Sequence, residues 1–464
     1  MKTRLLSFWL AIRSSFWFVP TLMTITAVAL AFAMISLDDV IESKWVHDLG
    51  WIYTSGADGA RAVLAAISGS MIGLAGVVFS ITMVTLTLTS SQFGPRLLRT
   101  FMRDTSNQIV LGTFIATFTY CLLILRTVQG GDEQTFVPSL SVAVGVVLAL
   151  ASLGVLIYFI HHVSSSIQAD NIIAAVGRDI DDAITRLFPE KLGHGTPRSQ
   201  TPQTVSDGPL APASPAPRVP ALGRGYLRAI DNDGLLHIAS AKDLLIRLAY
   251  RPGQFVVPGS ALVYVWPGTR VDERLTTEIN GVFVLGAQRT HEQDPEFAFS
   301  QLVEIAVRSL SPGINDPFTA TTCLEWLSVG LCDLATRDLP SPYRYDDRDT
   351  LRLIVSGVNF VDIANLVFTR IRQYSRASIM VTLKLLETIA LVATCTQRDE
   401  DRAVLRQQAI MVKRGSQAGL PDEADRKQVE AYYGAAMQAL EAAVRPTPSP
   451  ASPEAAAPLQ SPIA

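Results

Sequence analysis

Four long apolar stretches dominate the first third of the chain and predict membrane-spanning helices. They cover about residues 16–37, 62–89, 108–128 and 138–160. Each reaches the length of about 20 residues that a helix needs to cross a bilayer. The second would be about 42 Å long as a helix, so we expect it to tilt or to extend beyond the hydrocarbon. The first is longer than the core of a signal peptide, about 7–15 residues, and we expect it to be retained.

The charges between these stretches predict how the helices are oriented. Basic residues collect before the first stretch and between the second and third, whereas acidic residues collect in the other two connections. Because basic connections stay on the cytoplasmic side, both termini are predicted to be cytoplasmic. The basic set is Lys2, Arg4, Arg13, Arg96, Arg99 and Arg103, and the acidic set is Asp38, Asp39, Glu42, Asp48, Asp58, Asp132 and Glu133, with one basic residue, Lys44, among it.

An amphipathic pattern follows the fourth stretch and predicts a cytosolic stalk helix in residues 163–192. Its apolar residues recur at intervals of three and four, which is a heptad-like seam. Such a seam packs either on the chain's own domain or on copies of the same chain. The seam residues are Ile173, Val176, Ile180, Ala183 and Leu187.

The rest of the chain divides into segments of different composition. Residues 193–221 and the tail 445–464 are rich in Pro, Ser and Ala, which predicts a disordered linker and a disordered tail. Residues 222–270 contain short alternating runs separated by turn dipeptides, which predict a small β-barrel module. Residues 271–444 have a helical pattern and predict an α-helical bundle.

Two dipeptides in the helical region predict sharp helix starts. Asp294-Pro295 and Asp316-Pro317 each place a carboxylate at the cap and a proline at the first helical position. The apolar run Ser378–Cys395 resembles a fifth membrane span. Because Lys384 and Glu387 lie at its centre, a buried core helix is the better interpretation.

Composition narrows the possible partners and chemistry. Only 17% of residues are charged and the net charge is -3, so the chain lacks the basic surplus that nucleic-acid binding needs. Among the 4 cysteines there is no CxxC spacing, and we expect reduced, small core residues. The sequence contains no HExxH motif, phosphate-binding glycine loop or GxSxG elbow. We therefore expect no catalytic residue, metal site or cofactor, and no enzyme activity.

Several long segments resemble a known family. RSSFWFVP, SGSMIGLAGVVFSITMVTLTLTSSQFGPRLLRTFMRD, LASLGVLIYFIHHVSSSIQADNI and QLVEIAVRSLSPGINDPFTATTC are similar to the bacterial "predicted membrane protein" family, domain of unknown function (DUF) 2254. The resemblance covers nearly the whole chain apart from the linker and tail. It implies a bacterial inner-membrane protein, and it implies no reaction, ligand or catalytic residue.

The segment GLLHIA…RPGQFVVPGSALVYV is similar to the paired strands of barrel-sandwich domains such as biotinyl and lipoyl carriers. Those carriers present a lysine at the hairpin after the last strand. The matching position here reads Trp266-Pro267-Gly268-Thr269. The likeness therefore implies a β scaffold without a covalently carried cofactor.

The second membrane helix contains the first candidate site. Its small residues at helical spacing let helix backbones approach closely, which is how membrane helices pack. The alternative is a pore or substrate path lined by small and hydroxyl residues. The residues concerned are Gly69, Gly73, Gly76, Ser80 and Thr87.

Polar residues around the two capped helices form the second candidate site. We interpret them as a structural network that fixes the turn SPGIND, with a ligand pocket or a domain interface as the alternative. The set is Arg289, Asp294, Gln301, Glu304, Arg308, Asn315 and Asp316. His161 and His162 lie where the fourth helix leaves the membrane, and adjacent helical residues point too far apart to chelate one metal.

The expected protein is mainly α-helical: a four-helix transmembrane domain, then a cytosolic small β-barrel module and an α-helical C-terminal bundle. Its expected partners are the lipid bilayer and copies of itself. The first function hypothesis is a homo-oligomeric channel or transport-like protein, gated or assembled by its cytosolic domain. The alternative is a membrane-anchored sensor or scaffold whose cytosolic domain binds a ligand or a protein.

Overall fold

The computed structural model describes residues 17–40, 56–94, 105–128, 137–166, 168–188 and 217–442. The chain divides into two compact units, one up to Ile172 and one from Ile173 onward. The predicted tail, most of the predicted linker and the basic residues that predict orientation lie outside the described residues.

Four long apolar helices form the first unit and confirm the four predicted membrane helices. They are α1 (Phe18–Val40), α2 (Ala57–Phe93), α3 (Thr105–Thr127) and α4 (Ser139–Ser166). All four are long and apolar enough to cross a membrane. At 37 residues α2 is the longest of them, and its length of about 55 Å exceeds a hydrocarbon core of about 30 Å.

Helix α3 lies at the centre of the first unit, because the other three helices pack on it. Phe114, Tyr120 and Ile124 of α3 are fully buried. Gly112 lets α1 approach closely, since a Cβ at this position would lie 3.2 Å from the Cα of Pro20. Close backbone approach at a small residue is the usual basis of helix association in lipid.

The described part of the second unit contains eight short strands in two sheets. Five strands pair in the order β1-β5-β3-β8-β7 and three in the order β4-β2-β6. The pairs are antiparallel, except that β3 and β8 run parallel. The strands are β1 (Arg218–Pro220), β2 (Gly225–Ile230), β3 (Leu245–Leu248), β4 (Phe255–Val256), β5 (Ala261–Trp266), β6 (Phe283–Gly286), β7 (Tyr343–Tyr345) and β8 (Leu351–Ile354).

These sheets differ from the predicted small β-barrel module at 222–270. Pairing among the described strands leaves β1 and β7 as edges of the larger sheet, so no closed barrel is formed by these residues. β1 falls at the end of the segment predicted as linker, and β6, β7 and β8 fall in the region predicted as helical. Strands of three or four residues are too short to carry a recognisable period, and β8 pairs with a strand about a hundred residues away.

The run GLLHIA is a helix rather than the predicted strand. It lies in α6 (Asn232–Ala241), and the Asp231 carboxylate caps this helix by accepting a hydrogen bond from Gly234 N at 3.0 Å. Leu235 and Ala239, four residues apart, are both buried against the sheet core. The predicted turn at Asp233-Gly234 is therefore the first turn of a capped helix. The likeness to paired barrel-sandwich strands does not hold at this segment.

Helices make up most of the remaining described chain. Both Asp-Pro starts are confirmed: Asp294 accepts from Phe297 N, and Asp316 accepts from Thr319 N. The apolar run from Ser378 forms a core helix, since its Leu385, Leu386 and Ile389 are buried. The helices are α7 (Glu273–Gly281), α8 (Pro295–Ser309), α9 (Pro317–Thr336), α10 (Phe360–Tyr374), α11 (Ile379–Cys395), α12 (Asp399–Gly419) and α13 (Glu423–Ala442).

The heptad-like seam packs on the chain's own domain. It lies on α5 (Ala169–Leu187), and its residues from Ile173 to Ala183 are buried. A Cβ on Gly177 would overlap the ring of Trp326 in α9, and a Cβ on Gly330 would lie 2.6 Å from Ile180. Of the two alternatives that the sequence leaves open, this seam therefore takes the intramolecular one.

Candidate functional site

The predicted small residues of α2 share one exposed face of the helix. Gly69, Gly73, Gly76, Ser80 and Thr87 are all exposed, and their spacing places them within about 60° of one another. A Cβ on any of the three glycines would meet no atom within 4 Å. We call these five residues the small-residue face. It contacts no other helix among the described residues.

The opposite face of α2 carries the packing within the chain. Leu64, Met71 and Val78 are buried, and they belong to the two apolar clusters of the membrane unit. Leu64, Met71 and Val78 therefore face the chain's own helices, whereas the small-residue face points outward together with exposed large residues of α2 such as Ile72, Phe79 and Met83. From Gly69 to Thr87 the small-residue face extends over 19 residues, about 27 Å, which is close to the thickness of the hydrocarbon layer.

The polar groups of the membrane helices include hydroxyls that hydrogen-bond within their own helix and ionisable side chains near the helix ends. The Thr87 hydroxyl donates a hydrogen bond to the Met83 carbonyl at 2.9 Å. This hydroxyl is therefore paired within its own helix and does not expose an unsatisfied polar group to lipid. Ionisable residues of the described spans stand near the helix ends. They are Asp38, Asp39, Asp58, Arg61, Arg126, His161 and His162. The middle of each described span is therefore uncharged.

Asp38 makes a contact that the sequence does not predict. Its carboxylate, at the end of α1, accepts hydrogen bonds from Leu140 N at 3.0 Å and Ser141 N at 2.9 Å. These amides belong to the first turn of α4, where no intrahelical acceptor exists. Asp38 therefore caps a helix about a hundred residues away. No local signal in the sequence connects the two positions.

Other polar contacts tie the membrane helices together. The Tyr120 hydroxyl donates to the Ser141 carbonyl at 2.9 Å, and the Arg61 guanidinium donates to the Val128 carbonyl at 3.0 Å. The rings of His162 and Tyr158 stack at 5.5 Å. In the described residues His162 is therefore a packing residue at the end of α4, and no metal-binding group of three or more His, Cys, Asp or Glu is present in them.

Part of the second predicted site forms an ion-pair network at the start of α8. Arg289 binds the Asp294 carboxylate through two nitrogens, at 2.7 and 2.9 Å. Arg251 binds Glu296 at 2.5 Å and Asp362 of α10 at 2.8 Å. The network therefore joins the strand region to α8 and α10. The sequence predicts Arg289 and Asp294 as members of a polar network, but it does not predict Arg251, Glu296 and Asp362.

Burial shifts the pKa values of two carboxylates in this network. Burial raises the pKa of Asp294 above its usual range, and the bound Arg289 guanidinium opposes that rise. Burial likewise raises the pKa of Glu296, with Arg251 opposing it. Gly253 is required here, because it has a φ of 92° and a Cβ would overlap the Asp294 carboxylate. These carboxylates are paired with arginines, and Asp294 packs against the backbone at Gly253. We therefore interpret the network as a structural connection between elements rather than as an open ligand pocket.

The other predicted residues of this set lie elsewhere along α8 and beyond it. Asn315 and Asp316 stand at the opposite end of α8 from Asp294, about 22 Å away along the helix axis. Asp316 caps α9 and also accepts from the Thr319 hydroxyl at 2.6 Å. Gln301 is buried within α8, while Glu304 and Arg308 are half-buried further along it. The structure therefore divides the predicted set between the two ends of one helix.

The four cysteines are free thiols. Cys332 of α9 lies beside Cys395 at the end of α11, and burial raises the pKa of Cys332 to about 12. A thiol with that pKa stays protonated near neutral pH and is a poor nucleophile or metal ligand.

Comparison with known proteins places the chain among bacterial membrane proteins. No solved structure matches it. It is 33% identical over 449 residues to uncharacterised proteins of Mycobacterium tuberculosis strain H37Rv and of Mycobacterium bovis, covering 94% of this chain and 82% of each relative. Residues 13–390 match the family described as predicted membrane protein (DUF2254). The chain belongs to this family of membrane proteins, as the resemblance of its segments indicates.

Proposed function

We propose that this membrane protein assembles from identical chains into a channel or a transport-like pore, with the small-residue face of α2 at the contact between chains. One observation carries the proposal: this face points away from the other membrane helices of its own chain and spans about the thickness of the hydrocarbon.

Physical chemistry in lipid favours a protein partner on that face. Lipid tails are as apolar as leucine, so no hydrophobic force drives membrane helices together, and close van der Waals packing between small residues must do so. Glycine spaced as Gly69-x-x-x-Gly73 is the pattern that permits such packing. Within the chain, Gly112 and Gly145 already have neighbours close to the position of a Cβ. The glycines of α2 are left for a second copy.

The distribution of charge favours a weakly selective pore over an ion-coupled transporter. Coupled transporters place carboxylates within the membrane to bind the driving ion. The described spans carry none in their middle portions, whereas Ser80 and Thr87 add hydroxyl groups to the small-residue face. Assembly around this face would line a path with small and hydroxyl groups.

A pair of variants tests the proposal. Gly73→Leu leaves room for the new side chain within one chain, so we expect normal insertion and loss of the oligomer. Gly154→Leu is the matched control, because Gly154 of α4 is also exposed and without neighbours. The measurements are the native mass in nanodiscs and the conductance of planar bilayers. A monomeric wild type, or an unchanged oligomer in Gly73→Leu, would contradict the proposal.

A membrane-anchored sensor or scaffold is the second candidate function. The observation in its favour is the network of Arg251, Arg289, Asp294, Glu296 and Asp362, which joins the sheets and helices of the second unit into one domain with its own core. A folded domain of this kind can present a fixed surface for binding a ligand or a protein. A monomeric, non-conducting protein would favour this candidate over the pore.

The proposed location is the bacterial inner membrane, with both termini and the second unit in the cytoplasm. Its support is the placement of basic residues before the first helix and between the second and third, against acidic residues in the other two connections.

A further inference from the structure

The five-stranded sheet of the second unit has an inner face that packs in the core of the domain. Val265, Ile246 and Leu353, paired across three adjacent strands, belong to one apolar core together with residues of α6 and α7. Because successive side chains of a strand point to opposite faces, the residues next to them point away from this core. The sheet therefore has an outer face that α6 and α7 do not cover.

One row of paired residues crosses all five strands on the outer face. In the strand order β1-β5-β3-β8-β7 each member lies in register with the next. Neighbouring strands are about 4.8 Å apart, so the row is about 19 Å long. We call it the arginine–tyrosine row, and its members in strand order are Arg218, Tyr264, Arg247, Ile354 and Tyr343.

Both arginines of the row are exposed and have no acidic partner. Among the described residues, neither Arg218 nor Arg247 forms an ion pair. By contrast Arg352, two residues before Ile354 in β8, binds Asp243 and Asp346, each at 2.7 Å. Of these three arginines, the protein therefore neutralises one and leaves two available to an external anion.

Tyr264 lies between the two available arginines. The Arg247 guanidinium lies over the Tyr264 ring, 5.0 Å from its centre. Arg247 therefore extends from β3 across β5, in the direction of β1 and Arg218. The backbones of the two arginines are separated by two strand spacings, about 10 Å. Their guanidinium groups can therefore converge on one anion above the phenol ring.

The chemistry of the row matches a molecule that combines phosphate with an aromatic ring. A guanidinium binds phosphate oxygens through two parallel hydrogen bonds, and two guanidinium groups balance a double negative charge. The other half of the row, Ile354 and Tyr343, is half-buried and offers apolar and aromatic surface. Aromatic side chains on exposed sheets bind nucleotide bases by stacking.

We propose that the arginine–tyrosine row binds a mononucleotide, with its phosphates on Arg218 and Arg247 and its base against Ile354 and Tyr343. Arginine side chains on a rigid sheet take the place of the phosphate-binding glycine loop, which the sequence lacks. The inference goes beyond the proposed pore, because a nucleotide binds to this sheet whether or not chains assemble through α2.

Nucleotide titration of the full-length protein tests the proposal. The protein in phosphatidylcholine nanodiscs is titrated into ribose-labelled ATP, GTP or UTP, and the fluorescence anisotropy is measured. We expect saturable binding of at least one of them. The matching unlabelled nucleotide should displace it at a lower concentration than inorganic pyrophosphate or the free nucleoside does. No saturable binding of any of the three would overturn the proposal, as would displacement by pyrophosphate at the same concentration as the nucleotide.

Substitutions in the row locate the site. We expect Arg218→Gln and Arg247→Gln each to weaken nucleotide binding about tenfold or more, because each removes a charge-assisted contact. Arg414→Gln, at an exposed arginine of α12, makes the same change in charge and should leave the affinity unchanged. Tyr343→Leu should weaken binding of the nucleotide and not of pyrophosphate. The thermal unfolding midpoint of each variant reports whether the fold is kept. Equal effects of Arg247→Gln and Arg414→Gln in folded protein would overturn the proposal.

Discussion

Asp38 illustrates how one residue can carry two kinds of information. As an acidic residue at the end of an apolar run, it marks where the first membrane helix ends. In the folded chain its carboxylate also supplies the acceptors that the first amides of α4 lack. Asp39, next to it, has the same charge and is exposed. The difference between the two arises from the direction in which α1 presents each side chain.

Replacing Asp38 by Ala is expected to destabilise the membrane unit by about 1–2 kcal/mol, the usual cost of losing a helix cap. Asp39→Ala keeps the same change in charge and removes no cap, so we expect little effect. The measurement is the thermal unfolding of both variants in detergent. Equal destabilisation by the two would mean that charge, rather than capping, is what Asp38 contributes.

At the scale of elements, the pairing of α5 with α9 decides the role of the heptad-like seam. A seam with apolar residues every three or four positions is complementary to many helices, including a copy of itself. Here Gly177 leaves a gap that the ring of Trp326 fills, and Gly330 leaves one for Ile180. These reciprocal small-large contacts select α9 as the partner.

Gly177→Ala is expected to destabilise the second unit by about 1–3 kcal/mol, because the added methyl overlaps the Trp326 ring. Gly434→Ala is the control: Gly434 lies exposed in α13 without neighbours, so alanine there should stabilise by up to about 1 kcal/mol. Thermal unfolding of full-length variants measures both. The additional substitution Trp326→Leu should recover part of the loss at Gly177, and no recovery would argue against this contact.

At the scale of the whole molecule, four membrane helices precede a domain of similar or greater length in the chain. An even number of spans returns the chain to the side on which it started. The basic residues before the first span therefore determine the side of the second unit as well.

Reporter fusions test this orientation. A reporter that folds in the cytoplasm, fused after Ala464, should be active, and one that requires export should be inactive at the same position. The opposite result should be obtained when each reporter is inserted between α1 and α2. Activity of the exported reporter after Ala464 would reverse the orientation or change the number of spans.

The amino-acid sequence by itself determined the four membrane helices, the two Asp-Pro helix starts and the core position of the run from Ser378. Each depends on residues close together in the chain, on local hydropathy, capping or an intrahelical charge.

The sheets, the helix at GLLHIA and the partner of the heptad-like seam were decided by the tertiary structure. So were the outward direction of the small-residue face and the division of the predicted polar set between the two ends of α8. All of these depend on contacts between residues far apart in the chain, such as β3 with β8 and Asp38 with α4. A hydrophobic or polar pattern specifies that a face will be covered, whereas the shape and position of the other elements decide which one covers it.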